Sequence, residues 1–311
     1  MKAAVFGATG PIGRRVTRAL TERGVEVRVV SRSPERLERR FGRLDVERHP
    51  ADLEDRAAAV EAARGCDLVI HAVGLPADRF ERHVPIAENA VAACREVGAR
   101  PFLVTSYWSY GPGDDGPMPE SRPRRGTSRK AEVREREEEV FLDGGGAVAR
   151  LPDFYGPEEG LSLLNDALGA VAAGETVRWP GDPDAPRDFL HYGDAGRLLA
   201  DLALREQAFG EAWNVPGSGA RPPRALLEEA ARLSGTELRL RAVGRWTARV
   251  AAIFSSDVRG FLDVMPLYEA PLILDTSKIE GLLGEVRTTP WEEGLGETLR
   301  WLADRGAAGT A

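Results

Sequence analysis

The stretch GATGPIG, Gly7 to Gly13, holds the residues whose types and spacing most plainly do chemistry. A short apolar run, Lys2–Phe6, leads into it and an apolar-periodic helix leads out, so the glycines sit between a strand and a helix. Gly7 permits the tight turn, Gly10 lets the backbone approach a diphosphate, and Gly13 lets helix and strand pack closely. Thr9, Pro11 and Ile12 complete the loop. Amides at the helix start point at the anion; Pro11 offers none but suits an early helical position. In VVSRSPERL, at the end of the second strand, Ser31, Arg32 and Ser33 stand where an acid for ribose hydroxyls would be, and no carboxylate precedes Glu35. Arg32, assisted by Arg14, has the planar donor fork that suits a 2′-phosphate. The pattern favours NADP (NADPH) as cofactor, with NAD as the alternative. Asp52 of PADLED either accepts from the adenine amino group, with Leu53 beside the ring, or caps the next helix. Ala72, Val73 and Gly74 are small enough to let a cofactor cross the sheet edge.

These residues need a sheet to carry them. Strands are expected at Lys2–Phe6, Val25–Val30, Arg43–Arg48, Asp67–Val73, Pro101–Ser106 and Ala147–Leu151. Helices are expected up to Arg23 and over Glu54–Ala63, Arg82–Val97 and Arg129–Leu142. DLVIHAV and PFLVTS are nearly continuous apolar runs, as strands covered on both faces should be. Such alternation predicts an α/β fold: a Rossmann, doubly wound parallel sheet with helices on both faces. After Leu151 the pattern loosens. Helices are expected at Leu161–Ala173, Asp194–Arg205, Arg224–Leu233, Thr276–Leu283 and Trp291–Ala303, with a helical, aromatic-rich stretch between Val243 and Tyr268. Residues 1–157, completed by about 186–216, are expected to form the nucleotide-binding domain. Residues 158–185 and 217–311 should form a smaller, mainly helical substrate-binding portion.

Composition narrows the classes. A chain of 311 residues with 42% hydrophobic content can fill a real core. A net charge of −7 argues against nucleic acid or an anionic membrane as partner. Two cysteines, Cys66 and Cys94, do not make a disulfide scaffold, and the four histidines show no metal-ligand spacing. No signal peptide precedes the first strand and no run of eighteen apolar residues occurs, so a cytoplasmic protein is expected.

Several further segments carry a resemblance. They are HAVG at 71–74, TSYWSYGP at 105–112, RLPDFYGP at 150–157, RDFLHYGDAG at 187–196 and WNVPGSG at 213–219. DTSKIEGLLG at 275–284 and PWEEGLGETLRWL at 290–302 follow in the same order. With GATGPIG and Asp52-Leu53, nearly the whole chain resembles an extended or atypical short-chain dehydrogenase/reductase of the NAD(P)-dependent epimerase/dehydratase family. The resemblance implies a cofactor at the sheet edge, a small-molecule substrate beside the C-terminal portion, and a serine–tyrosine–lysine site. It makes Ser106 the serine and Lys130 the lysine. The tyrosine of YxxxK falls on Gly126, where this chain departs from the pattern.

That departure matters chemically. A tyrosine trades a proton with an alcohol or ketone, a lysine one turn later lowers its pKa, and the serine hydroxyl steadies the oxygen. Glycine does none of this. Tyr107, Tyr155 and Asp153 are the candidate replacements. Asp153 also stands where sugar-nucleotide enzymes of this family often carry asparagine. Arg187 matches a family arginine that contacts substrate phosphate, or anchors its loop through the acids at 182, 184 and 188. Trp108 offers an aromatic wall for substrate. His71 and His191 read as structural, and the acidic run at 134–140 as a solvated helix face. The resemblance also implies a homodimer through the helices at 82–98 and 129–142, unless their apolar faces are spent on the sheet. Two functions follow: an NADP-dependent oxidoreductase or epimerase/dehydratase-like enzyme for a small or sugar-like carbonyl or alcohol, or an inactive NADP(H)-binding sensor or partner-binding protein.

Overall fold

The computed structural model describes residues 1–114, 116–126, 128–160, 162–251 and 261–309. Seven parallel strands form its main sheet: β1 (Lys2–Phe6), β2 (Glu26–Ser31), β3 (Glu47–Pro50), β4 (Leu68–His71), β5 (Arg100–Ser106), β6 (Ala147–Leu151) and, after three short strands, β10 (Ala212–Asn214). Their spatial order is β10-β6-β5-β4-β1-β2-β3. The order reverses direction at β1, so the crevice between the carboxyl ends of β1 and β4 is the switch point where such sheets take ligands. Strands β1, β4 and β6 are buried on both faces, which is why their sequences run apolar instead of alternating. Arg43–Arg48, expected as the third strand, pairs only in its last residues. The observed β3 reaches to Pro50 and is mostly exposed, as suits a polar edge strand.

Helices α1 (Pro11–Glu22) and α7 (Tyr192–Ala203) cover one face of the sheet. Helices α3 (Arg56–Ala63), α4 (His83–Val97) and α5 (Arg129–Asp143) cover the other with an alanine- and valine-rich layer. A further helix, α2 (Pro34–Phe41), lies outside the sequence expectation. Ser33 caps it, accepting from the Arg36 amide at 3.2 Å, and Pro34 opens it, a start signal legible in SRSPERL.

The C-terminal part has its own core of Tyr155, Leu168, Trp179, Phe189, Leu227, Trp291 and Leu295. Two parallel pairs support it: β7 (Asp153–Tyr155) with β9 (Phe189–His191), and β8 (Thr176–Pro180) with β11 (Arg239–Val243). The helix expected from Leu161 runs over Leu163–Ala172, Leu161 itself lying outside the described residues. Of the stretch from Val243 to Tyr268, a helix over Arg245–Ala251 and a turn at Met265–Tyr268 are described, and residues 252–260 lie outside. No helix among the described residues is long and apolar enough to cross a membrane.

The solvated face expected for residues 134–140 forms only in part: Arg136 and Glu139 are exposed. Glu137 and Glu138 are fully buried, because α5 turns this side onto β4, β5 and β6. Each carboxylate keeps charged or polar company that offsets its lost hydration. Glu138 receives Arg150 Nη2 at 2.7 Å and Ser109 Oγ at 2.9 Å. Glu137 lies 2.5 Å from Arg134 Nη1, 3.2 Å from His83 Nδ1 and 3.6 Å from His71 Nε2.

Candidate active site

The switch point opens into a cleft of 760 Å³. Its floor is the glycine loop, shaped by close approaches. Gly7 has φ +80°, and a Cβ there would lie 2.6 Å from the Ala72 carbonyl oxygen. A Cβ on Gly13 would meet the Gly7 carbonyl oxygen at 2.5 Å. Gly13 therefore stands behind the wall and sets how near α1 approaches β1. The Gly10 amide is spent on Gly7 at 3.0 Å and Pro11 has none, so Ile12 supplies the first-turn amide on the cleft wall that an anion would meet.

At one end the cleft is walled by Ser31, Arg32, Ser33 and Arg36, and then by Asp52, Leu53 and Glu54. Arg36 comes from α2, and it joins Arg32 there. Arg14 does not: it turns outward and pairs with Glu158, whose other oxygen receives Arg15 Nε at 2.7 Å. Asp52 is not the cap of α3. Asp55 holds that place, accepting from the Ala57 amide at 2.8 Å, while Asp52 accepts from Glu54 N at 3.2 Å in the preceding turn. The Glu54 carboxylate is neutralised by Arg79 and Arg82.

At the other end lie Ala72, Val73, Gly74, Leu75, Ile86, Val104, Thr105, Ser106, Leu151 and Phe154, with Arg134 from α5. The Oγ of Ser106 and Oγ1 of Thr105 are buried there without a hydrogen-bond partner among the described residues. A buried hydroxyl left so is costly unless a ligand atom meets it. Glycine cradle, first-turn amide and waiting hydroxyls together fit a nicotinamide dinucleotide.

The remaining candidates lie outside this wall. Tyr107 is buried, and its phenol accepts from Arg187 Nη2 at 2.7 Å. Burial raises its pKa, against the pull of the guanidinium. Arg187 is fully buried too. Its other bonds go to Asp153 Oδ2 at 3.0 Å and the Leu267 carbonyl at 2.7 Å, and its guanidinium lies 4.1 Å from the Tyr268 ring centre. The acids at 182, 184 and 188 do not hold it; Asp184 binds Arg224, and Asp188 accepts from the Gly217 and Gly219 amides. Tyr155 faces the C-terminal core, its hydroxyl 2.8 Å from Ser218 Oγ and its ring stacked on Trp291. Trp108 stacks on Phe80 with ring centres 6.0 Å apart.

Lys130 also stands beside the cleft instead of in its wall. Its Nζ lies 5.6 Å from the Phe80 ring centre and 5.8 Å from that of Trp108. Burial lowers its pKa, Asp263 opposes this, and Arg134 adds to it. Gly126 is not a site stripped of a side chain. A Cβ there would lie 2.3 Å from Ala131 Cβ and 3.1 Å from the Trp108 carbonyl oxygen, so the Ala131 methyl and the Trp108 backbone fill the space. Arg36, Glu54, Thr105 and Arg134 are the polar wall residues that the sequence reading missed. The signal for Arg36 was the Ser33-Pro34 helix start. For Arg134 there was none beyond its i+4 spacing from Lys130.

Residues 7–140 match a family model described as NAD(P)H-binding. Sheet order, cleft and this match together describe an NAD(P)H-binding region within a Rossmann-like, seven-stranded parallel sheet. A dTDP-glucose 4,6-dehydratase of Actinoplanes sp. is 30% identical over 155 residues, covering 50% of this chain and 42% of that protein. A ceramide reductase of Caulobacter vibrioides is 32% identical over 160 residues, covering 50% of this chain and 46% of its own. The chain thus spans about half the length of the curated relatives it matches. Among solved structures, a double mutant of DesIV, a dTDP-glucose 4,6-dehydratase from Streptomyces venezuelae with NAD and DAU bound, has the same fold. It superposes with a TM-score of 0.81 at 22% identity, over 99% of this chain and 98% of that one.

Proposed function

We propose that this chain is an NADP-dependent oxidoreductase, or an epimerase/dehydratase-like enzyme, acting on a small or sugar-like carbonyl or alcohol. The observation that carries the reading is the single cleft joining the glycine loop to the unpartnered Ser106 hydroxyl. Bound there, a nicotinamide dinucleotide supplies or takes up hydride. The Ile12 amide at the helix start holds the diphosphate, and Ser106 Oγ donates to the substrate oxygen. Preference for NADP rests on Ser31, Arg32, Ser33 and Arg36, a polar and cationic group in one wall; of the carboxylates around it, Glu35 accepts from Ser33 Oγ at 2.6 Å and Glu54 is paired with Arg79 and Arg82. Arg187 is fully buried outside the cleft wall and pairs with Asp153, which keeps it from a diphosphate in the cleft and favours a substrate other than a nucleotide sugar. The two curated relatives differ in the substrates they are named for, which is consistent with substrate choice lying outside the shared half. Deuteride transfer from labelled NADPH to a panel of ketones, aldehydes and sugars tests the proposal. Transfer to none of them, with NADPH bound tightly, would decide for the second reading, an NADP(H)-binding sensor. That alternative is motivated by Gly126, where no phenol fits.

A further inference from the structure

Two cations stand one turn apart on the first half of α5, and both lie over one ring. Lys130 Nζ is 5.6 Å and Arg134 Cζ 5.0 Å from the centre of Phe80. Only Arg134 belongs to the wall of the cleft, among Gly74, Thr105 and Ser106. Its Nη1 is held by Glu137 and His83, while its Nε is buried without a partner among the described residues. In the YxxxK register the cation nearer the cofactor is the second member, and the proton carrier stands four residues before it. Counting back from Arg134 along a continuous helix gives Lys130; counting back from Lys130 gives Gly126, which lies before the helix and is packed against Ala131.

We propose that the acid–base pair of this site is displaced by one helical turn, with Lys130 Nζ giving and taking the substrate proton and Arg134 holding the cofactor-facing cationic place. The inference rests on the oxidoreductase reading above. In the reducing direction a bound reduced nicotinamide would supply a hydride, and with it both electrons, to the carbonyl carbon and would itself be oxidised. The carbonyl oxygen gains one proton from Lys130 Nζ. The lysine is left as a neutral amine and regains its proton from water; alcohol oxidation reverses each transfer. Ser106 Oγ steadies the oxygen in either direction. Arg134 does for Lys130 what the motif's lysine does for tyrosine: a positive charge one turn away favours the less positive form. The half-buried, aromatic setting of Phe80 and Trp108 acts in the same sense, and Asp263 keeps the ammonium available.

The chain has three lysines, Lys2, Lys130 and Lys278, so carbon-13 dimethylation followed by NMR reads each separately. The signal lost in Lys130→Met identifies Lys130. It should titrate below free dimethyl-lysine in the unaltered chain and move upward in Arg134→Met. Calorimetry should find NADPH bound within about twofold by Lys130→Met and roughly tenfold or more weaker by Arg134→Met, the loss expected for one charge-assisted contact. Hydride transfer should fall at least about a hundredfold in Lys130→Met. The proposal is overturned if Lys130 titrates as free lysine does, a result that needs no variant beyond the assignment. It is equally overturned if Lys130→Met, and not Arg134→Met, weakens NADPH binding. A chain that binds neither NADPH nor NADH would instead sink the oxidoreductase reading itself, a distinguishable failure.

Discussion

Replacing Arg32 and Arg36 by serine, singly and together, tests the cofactor preference quantitatively. Both arginines belong to the cleft wall beside Ser31 and Ser33, and both are solvent-exposed. A hydrogen bond to a charged group contributes about 1.5–3 kcal/mol, and exposure argues for the lower end because water competes for the guanidinium. At about 1.4 kcal/mol per decade, each serine should weaken NADPH roughly tenfold, and the double variant by somewhat less than the product, since neighbouring sites are not additive. NADH has no 2′-phosphate, so its Kd should stay within about twofold. Calorimetric titration with both nucleotides at low and moderate salt gives the four affinities, and the NADPH advantage should shrink as salt screens exposed charges. The reasoning fails if the unaltered chain binds NADH as tightly as NADPH. It fails too if Arg32→Ser weakens both nucleotides equally, which would mean loss of loop structure and not of a phosphate contact.

Other outcomes follow from the packing. Gly126→Ala should destabilise the fold by about 1–3 kcal/mol in urea titration, the usual cost of overpacking, and Gly126→Tyr should bring no gain in turnover. Glu138→Gln leaves the buried Arg150 charge unpaired and should cost about 3 kcal/mol or more. Glu139→Gln, one residue on and exposed, should stay within about 0.5 kcal/mol. Acid should unfold the protein partly through His83, whose pKa burial and Arg134 pull down to about 4 from an ordinary 6.5. Between those values the unfolded chain binds the extra proton, so this contribution to stability is complete above pH 6.5 and is lost as pH falls towards 4. Glu137, pushed up by burial but held well down by Arg134 and the histidines, loses its contribution below the ordinary carboxylate pKa. Asp188, raised by burial to about 6, opposes both in part. The diagnostic is therefore a difference: His83→Gln should show a flatter fall of Tm between pH 6.5 and 4 than the parent, and equal slopes would refute the assignment.

Local chemistry was legible in the sequence wherever neighbouring residues settle it. The glycine loop between a strand and a helix, the apolar runs of β1, β4 and β5, and the absence of an acid after β2 are contiguous signals. A turn, a strand covered on both faces and a phosphate-binding end need only nearby residues to be specified. Tertiary structure decided everything that depends on which face of an element meets which neighbour. Glu137 and Glu138 sit in an acidic run that reads as solvated, yet α5 rotates them onto the sheet, where His71, His83 and Arg150 await from three other places in the chain and Arg134 joins them from the same helix. Arg187 could not be seen to be sealed until Tyr107, Asp153 and Leu267 converged on it across as many as 80 residues. The order of Lys130 and Arg134 relative to the cleft is likewise a matter of helix rotation. A spacing of four puts two side chains on one stripe, but only packing against β4 and β5 determines which of them faces the crevice.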